Sequence, residues 1–170
     1  METEVSAKIS NAQVSLFRWG LQNPVETVGI FLVILLTVTV FSQVFFRYAL
    51  QIPLAWSEEL AMFLFQWLSF IGAAIAVRQS FHYGLDLLTK RLSPRPKTIT
   101  QIFSSVLIFY ISFLMIVKGY GMMQITRMQI YPVLQFSVSY AYLAILIGGI
   151  LMIYYQIPIF WKQIGVFRGK

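Results

Sequence analysis

Few side chains in this sequence could do chemistry, and they sit close together between residues 47 and 86. Glu58 and Glu59 are adjacent carboxylates, His82 and Asp86 are one helical turn apart, and Arg47 precedes the glutamates. Adjacent carboxylates can hold a cation or relay a proton, and a His–Asp pair at i, i+4 shares one helix face. Neither set is sufficient for catalysis. A metal site needs three or four ligands, and the chain has one histidine and no cysteine. That excludes thiolate metal sites, iron–sulfur clusters, disulfides and a cysteine nucleophile, and also a haem held by two histidines of this chain. No Ser/His/Asp set and no Gly-rich phosphate loop is present. The expectation is a protein with no cofactor, no bound metal and no enzymatic activity, in which His82 and Asp86 are a solvated pair.

The elements that position these residues are hydrophobic helices. Of the 170 residues 58% are hydrophobic and 11% charged, with a mean hydropathy of +0.74, outside the range of soluble domains. A helix needs roughly 20 apolar residues to cross a hydrocarbon core of about 30 Å. Four segments meet that need, with uncharged cores at 27–46, 60–77, 98–117 and from near Ser137, and spans expected at about 25–48, 57–77, 98–118 and 137–157. Pro132, Gln129 and Gln135 place the start of the fourth near Ser137, and Pro158 falls in its expected last turn. The N-terminus, with Glu2 and Glu4 and no small-residue cleavage site after a short apolar run, does not read as a cleavable signal. The fold class is therefore an all-α integral membrane protein in a single membrane domain.

The net charge of +7 does not indicate nucleic acid, because in a membrane protein the position of each basic residue matters more than the sum. Ten of the 13 Lys and Arg lie in the N-terminal segment, the second connection and the C-terminal tail, leaving only Arg47, Lys118 and Arg127 in the other connections. Basic residues are retained on the cytoplasmic side, so both termini are expected there. At the helix starts, Asn23-Pro24-Val25-Glu26 reads as an N-cap, a first-turn proline and a favourable carboxylate, and Ser57-Glu58-Glu59 repeats the logic with Ser57 as the cap.

Two segments carry the pattern of helices lying on the membrane surface. Phe81, Leu85 and Leu88 line one face of a cytoplasmic amphipathic helix expected over about 79–92, ended by Ser93-Pro94-Arg95-Pro96. Within an interfacial arm over 1–24, Phe17 packs its apolar face onto the bilayer with Arg18 and Trp19 beside it. In the second span Gln66, Ser69, Ala73 and Ala76 fall near one face, and Phe63 and Trp67 near another; either packs within the chain or receives a second protein. Glu58 and Glu59 have two readings as well: outer-side ligands for a cation or substrate, or helix-start charges that pair with Arg47 or with a partner's arginine. The second is favoured, because ion-coupling carboxylates belong at membrane depth and these two stand at the rim.

From Arg47 to Asp86 the sequence resembles a known family. Arg47-Tyr48 closes the first span, Pro53-Leu54 precedes Trp56-Ser57-Glu58-Glu59-Leu60, Trp67 and Phe70 with Gly72-Ala73 follow, and His82 and Asp86 come after the second span. That order resembles the DctQ family, the small membrane subunit of tripartite ATP-independent periplasmic (TRAP) transporters. The sequence departs from the family's pattern in the fourth span, where Tyr140 and an unbroken Ala141–Ile147 run stand. The resemblance implies an inner-membrane accessory subunit bracing a large, sodium-coupled permease subunit, to which a periplasmic binding protein delivers an organic acid such as a C4-dicarboxylate or, slightly favoured, sialic acid. It implies polar partner contacts at Arg47, Glu58 and Glu59 with Trp56 and Trp67 as anchors, to which the face of the second span adds Gln66. The competing reading is a self-sufficient homo-oligomeric carrier or channel.

These readings separate in one experiment. The four spans hold no ionisable group away from their ends, so the purified chain alone in liposomes should show no saturable flux of organic acids and no conductance above empty vesicles.

Overall fold

The computed structural model describes residues 20, 23–89 and 94–167; the side chains of 80–99 and 166–167 lie outside what it describes. The interfacial arm expected over 1–24, with Phe17, Arg18 and Trp19, falls almost wholly outside the described residues. Four long helices follow: α1 (Pro24–Ala49), α2 (Ala55–Thr89), α3 (Pro94–Ile125) and α4 (Ser139–Phe167), with a single 3-10 turn at Thr126–Met128. Each has a stretch long and apolar enough to cross a bilayer, and the described residues contain no strand, only a bridge between Ile130 and Ser137.

The helix ends differ from expectation in four places. Ser57 does not cap α2: the helix begins two residues earlier, and the Ser57 hydroxyl donates to the Leu54 carbonyl at 2.6 Å. The segment 79–92 is not set off as a separate surface helix; α2 continues without a break to Thr89, because nothing between Val77 and Phe81 stops a helix. At 35 residues it is about 52 Å long, well beyond the hydrocarbon thickness. Phe81, Leu85 and Leu88 lie on this extension, their side chains outside the described residues. Pro94 and Pro96, expected to end the preceding surface helix, instead lie in the first turn of α3, which tolerates them because its N–H groups have no intrahelical acceptor. Pro158 does not close α4, which runs on to Phe167; the missing N–H frees the Tyr154 carbonyl, a loss that membrane helices absorb.

The helices form an open row. Helix α1 packs on α2, α2 on α4, and α4 on α3, with no other substantial helix pair among the described residues. In a closed four-helix bundle each helix touches two neighbours around a shared core. Here α1 buries only Gly29 and Thr39, while α4 is gripped on both sides.

Small residues on α4 make this possible. Ala141, Ala144, Gly148 and Gly149 are buried in sequence along it. A Cβ on Gly148 would stand 2.8 Å from the Phe70 Cβ of α2 and 3.1 Å from its carbonyl oxygen; one on Gly149 would stand 3.0 Å from the Ser112 carbonyl of α3. The two adjacent glycines thus let α4 touch two helices on opposite sides at backbone distance, the close approach that drives association where lipid competes for every apolar surface. Between α3 and α4 polar residues add specificity. The Ser105 hydroxyl donates to Gln163 Oε1 at 2.8 Å, and one heptad along each helix Ser112 and Gln156 are also buried.

Gly148→Val should lower thermal stability in detergent by about 1–3 kcal/mol through overpacking. Gly121→Ala, where an added Cβ meets nothing within 4 Å, should leave the melting temperature unchanged or slightly raised.

Candidate partner-binding surface

The carboxylates singled out in the sequence part company in three dimensions. Both sit in the first turns of α2, but only Glu59 turns inward. It accepts from the Val133 backbone N–H at 3.1 Å and the Leu134 N–H at 2.9 Å. These amides belong to the turn between α3 and α4, which is closed by Tyr131 N–H to Phe136 carbonyl and Val138 N–H to Gln129 carbonyl bonds, both 2.9 Å, with Gln135 in the left-handed region at φ 56°. A carboxylate across two consecutive amides is a charge-assisted anchor, so Glu59 pins the turn to α2. Burial raises the Tyr131 phenol above its ordinary value, with Tyr142 and the Glu59 charge adding to it; the ring remains a neutral hydrogen-bond donor.

Glu58 points out. It is exposed and makes no ion pair with any described residue, and Arg47, exposed at the end of α1, has none either. The expected Glu58/Glu59–Arg47 pairing is therefore absent among the described residues: Glu59 is committed to backbone, and Glu58 and Arg47 stay open. Trp56 is 42% exposed beside them. Trp67 faces its own chain instead, 6.2 Å from the Phe63 ring, which meets Phe136 edge-on at 5.1 Å. Its indole N–H is buried without an acceptor.

The open faces of α1 and α2 differ in character. On α1 the exposed stripe is Phe31, Ile34, Val38, Phe41 and Phe45, all bulky and apolar, as lipid-facing positions are. On α2, Met62, Phe65, Ser69 and Ala76 recur at heptad spacing below Glu58 and are exposed, Gly72 has free space beside it, and Gln66 and Ala73 are half-buried alongside. The opposite strip of α2, Ser57, Leu64 and Ile71, is buried. Small and polar residues left open at mid-span are what helix–helix contacts in membranes are made of.

At the opposite end of the same helices lies a contact that the sequence reading missed. Arg78 pairs with Glu26 through Nη1, donates to Asn23 Oδ1 through Nη2 at 3.0 Å, and lies 5.6 Å from the Tyr155 ring centre. It ties the start of α1 to the end of α2 and to α4. Glu26 does occupy the first turn after Asn23 and Pro24, yet the Asn23 side chain makes no capping bond. The available signal was that Glu26 and Arg78 each sit next to an uncharged run, at membrane ends that antiparallel neighbours must bring together.

Most of the chain, residues 36–165, matches the family model for the DctQ component of tripartite ATP-independent periplasmic transporters. The chain belongs to the DctQ family. It is 27% identical over 146 residues to the sialic acid TRAP transporter small permease protein SiaQ of Vibrio cholerae, covering 85% of this chain and 84% of that protein. It is 46% identical over 41 residues to the C4-dicarboxylate TRAP transporter small permease protein DctQ of Rhodobacter capsulatus, covering 24% of this chain and 18% of that one. A third match, 36% identical over 78 residues, is to the sialic acid TRAP transporter permease protein SiaT of Haemophilus influenzae, covering 46% of this chain but only 13% of that protein. This DctQ-family chain is accordingly a TRAP small permease subunit, a membrane protein of four spans.

Glu59→Ala leaves two amides of the turn without their acceptor, a cost of about 1–3 kcal/mol. Amide exchange at Val133 and Leu134 should accelerate by roughly five- to 150-fold, with Glu59→Gln, which keeps one acceptor oxygen, falling between.

Proposed function

We propose that this subunit is the non-translocating scaffold of a sodium-coupled TRAP transporter, with both termini in the cytoplasm, and that it braces a large permease subunit through the open stripe of α2. The observation that carries this reading is the open row: among the described residues the four spans enclose no pathway between them and, Lys118 of α3 apart, carry their charges near their ends, yet α2 presents a face where Ser69 and Ala76 stand open beside Gly72 at mid-span. Charged substrates and coupling ions need polar groups or broken helices at that depth, and these are left to the partner. The partial match to SiaT, a much longer permease protein, supports a large permease chain as that partner.

In this arrangement Glu58, Arg47 and Trp56 stand at the rim where a large subunit or a docked periplasmic binding protein would meet them, and Gln66 borders the stripe. Glu59 contributes indirectly, by holding the adjacent turn. The transported solute is an organic acid anion. Sialic acid is favoured over a C4-dicarboxylate, because the match to the sialic acid subunit spans most of the chain and that to the Rhodobacter capsulatus C4-dicarboxylate subunit about a quarter.

Ser69→Trp should reduce co-purification of the large subunit about tenfold or more and abolish uptake with it, whereas Val38→Trp on the bulky α1 stripe should preserve both. Replacing Glu58 and Glu59 together with Ala should also weaken assembly or transport. Wild-type assembly and uptake in the Ser69 variant would remove the α2 stripe from the interface.

A further inference from the structure

A groove of about 410 Å³ runs between α1 and α2, walled by Ile30 and Ile34 on one side and Leu68 and Gly72 on the other, and ending at Glu26 and Gln79. From Leu68 to Gln79 the helix rises about 16 Å, roughly half of a hydrocarbon core about 30 Å thick. The groove is therefore as deep as one lipid leaflet, and its walls are apolar. An extended alkyl chain suits both.

Its polar end has a defined chemistry. Glu26 Oε1 accepts from Arg78, but Oε2 is shielded from solvent and has no donor among the described residues. Next to it the Arg78 guanidinium, 41% exposed, has five N–H groups, not all of which are used by Glu26 and Asn23. An acceptor lacking a donor beside a cation with donors to spare is the complement of a zwitterion carrying N–H and phosphate. Choline has no N–H to give, and a glycerol headgroup has no cation to set against Glu26.

We propose that this groove is a phospholipid site: one acyl chain lies between α1 and α2, a primary-amine headgroup donates to Glu26 Oε2, and its phosphate accepts from Arg78. Seating the ammonium requires only a turn of the Glu26 carboxyl group about its terminal torsion, the soft one of that side chain. The site would fix the angle between α1 and α2 from within the bilayer. It rests on the groove and the Glu26–Arg78 pair rather than on the permease assignment, although Gly72 borders both the groove and the open stripe of α2.

The test is lipid competition on the purified full chain. After delipidation in mild detergent, the protein is offered equal amounts of phosphatidylethanolamine, phosphatidylcholine and phosphatidylglycerol with identical acyl chains, and bound lipid is counted by native mass spectrometry. Phosphatidylethanolamine should be retained roughly tenfold over the other two, the worth of one hydrogen bond to a charged group. Glu26→Gln should keep a lipid bound but erase the headgroup preference. Gly72→Leu, which fills the groove where the backbone has room and leaves the Glu26–Arg78 pair untouched, should remove the bound lipid. Equal retention of the three lipids by the wild type, or undiminished retention by Gly72→Leu, overturns the proposal. So does a Gly72→Leu chain that binds lipid normally but no longer co-purifies with the large subunit, which would assign the groove to a protein helix.

Discussion

Everything in this molecule hangs on the contact of α4 with two helices at once. In water, burying apolar surface would drive the helices together; in a bilayer the lipid tails are as apolar as the side chains, and only close packing and interhelical hydrogen bonds distinguish a neighbouring helix from lipid. Gly148 and Gly149 supply the first, one toward Phe70 of α2 and the other toward Ser112 of α3. The Ser105–Gln163 bond supplies the second. Helix α1, with neither on a comparable scale, is held to α2 chiefly by Gly29 seated against Ile75 and by the Arg78–Glu26–Asn23 cluster.

The distribution of charge follows from the same solvent. An ionised group is expensive at mid-membrane, so the charges of the described helices collect toward their ends, where they become fasteners: Arg78 with Glu26 at one end, Glu59 with the 131–135 turn at the other. A protein built this way has rigid ends and an uncharged middle. It can hold other helices in place but has little with which to handle an ion, in keeping with a subunit that works through a partner.

An open row also leaves more surface uncovered than a closed bundle would. Two kinds of surface result. The bulky stripe of α1 suits lipid tails, the part of the α2 stripe around Ser69, Gly72 and Ala76 admits a helix backbone, and the apolar groove between the two helices has the depth of one lipid leaflet. One helix pair therefore offers three different surfaces, set apart by side-chain size and by the charged pair that closes the groove at one end.

Reading the residues in order was enough to establish the membrane class, the four spans, most helix starts to within a few residues, and the family. These depend on local sums: hydropathy over about 20 residues is weighed against a fixed bilayer thickness, and that comparison needs no knowledge of neighbours. Helix continuations were less legible, since Pro158 and the 79–89 stretch are decided by whether surrounding structure tolerates them. The order of the helices, the inward turn of Glu59 and Trp67 and the Arg78–Glu26 pair belonged to the tertiary structure alone. Helices that are apolar on every side carry no amphipathic period to say which face meets which neighbour, so partners distant in sequence are chosen by the fit of small residues against large ones.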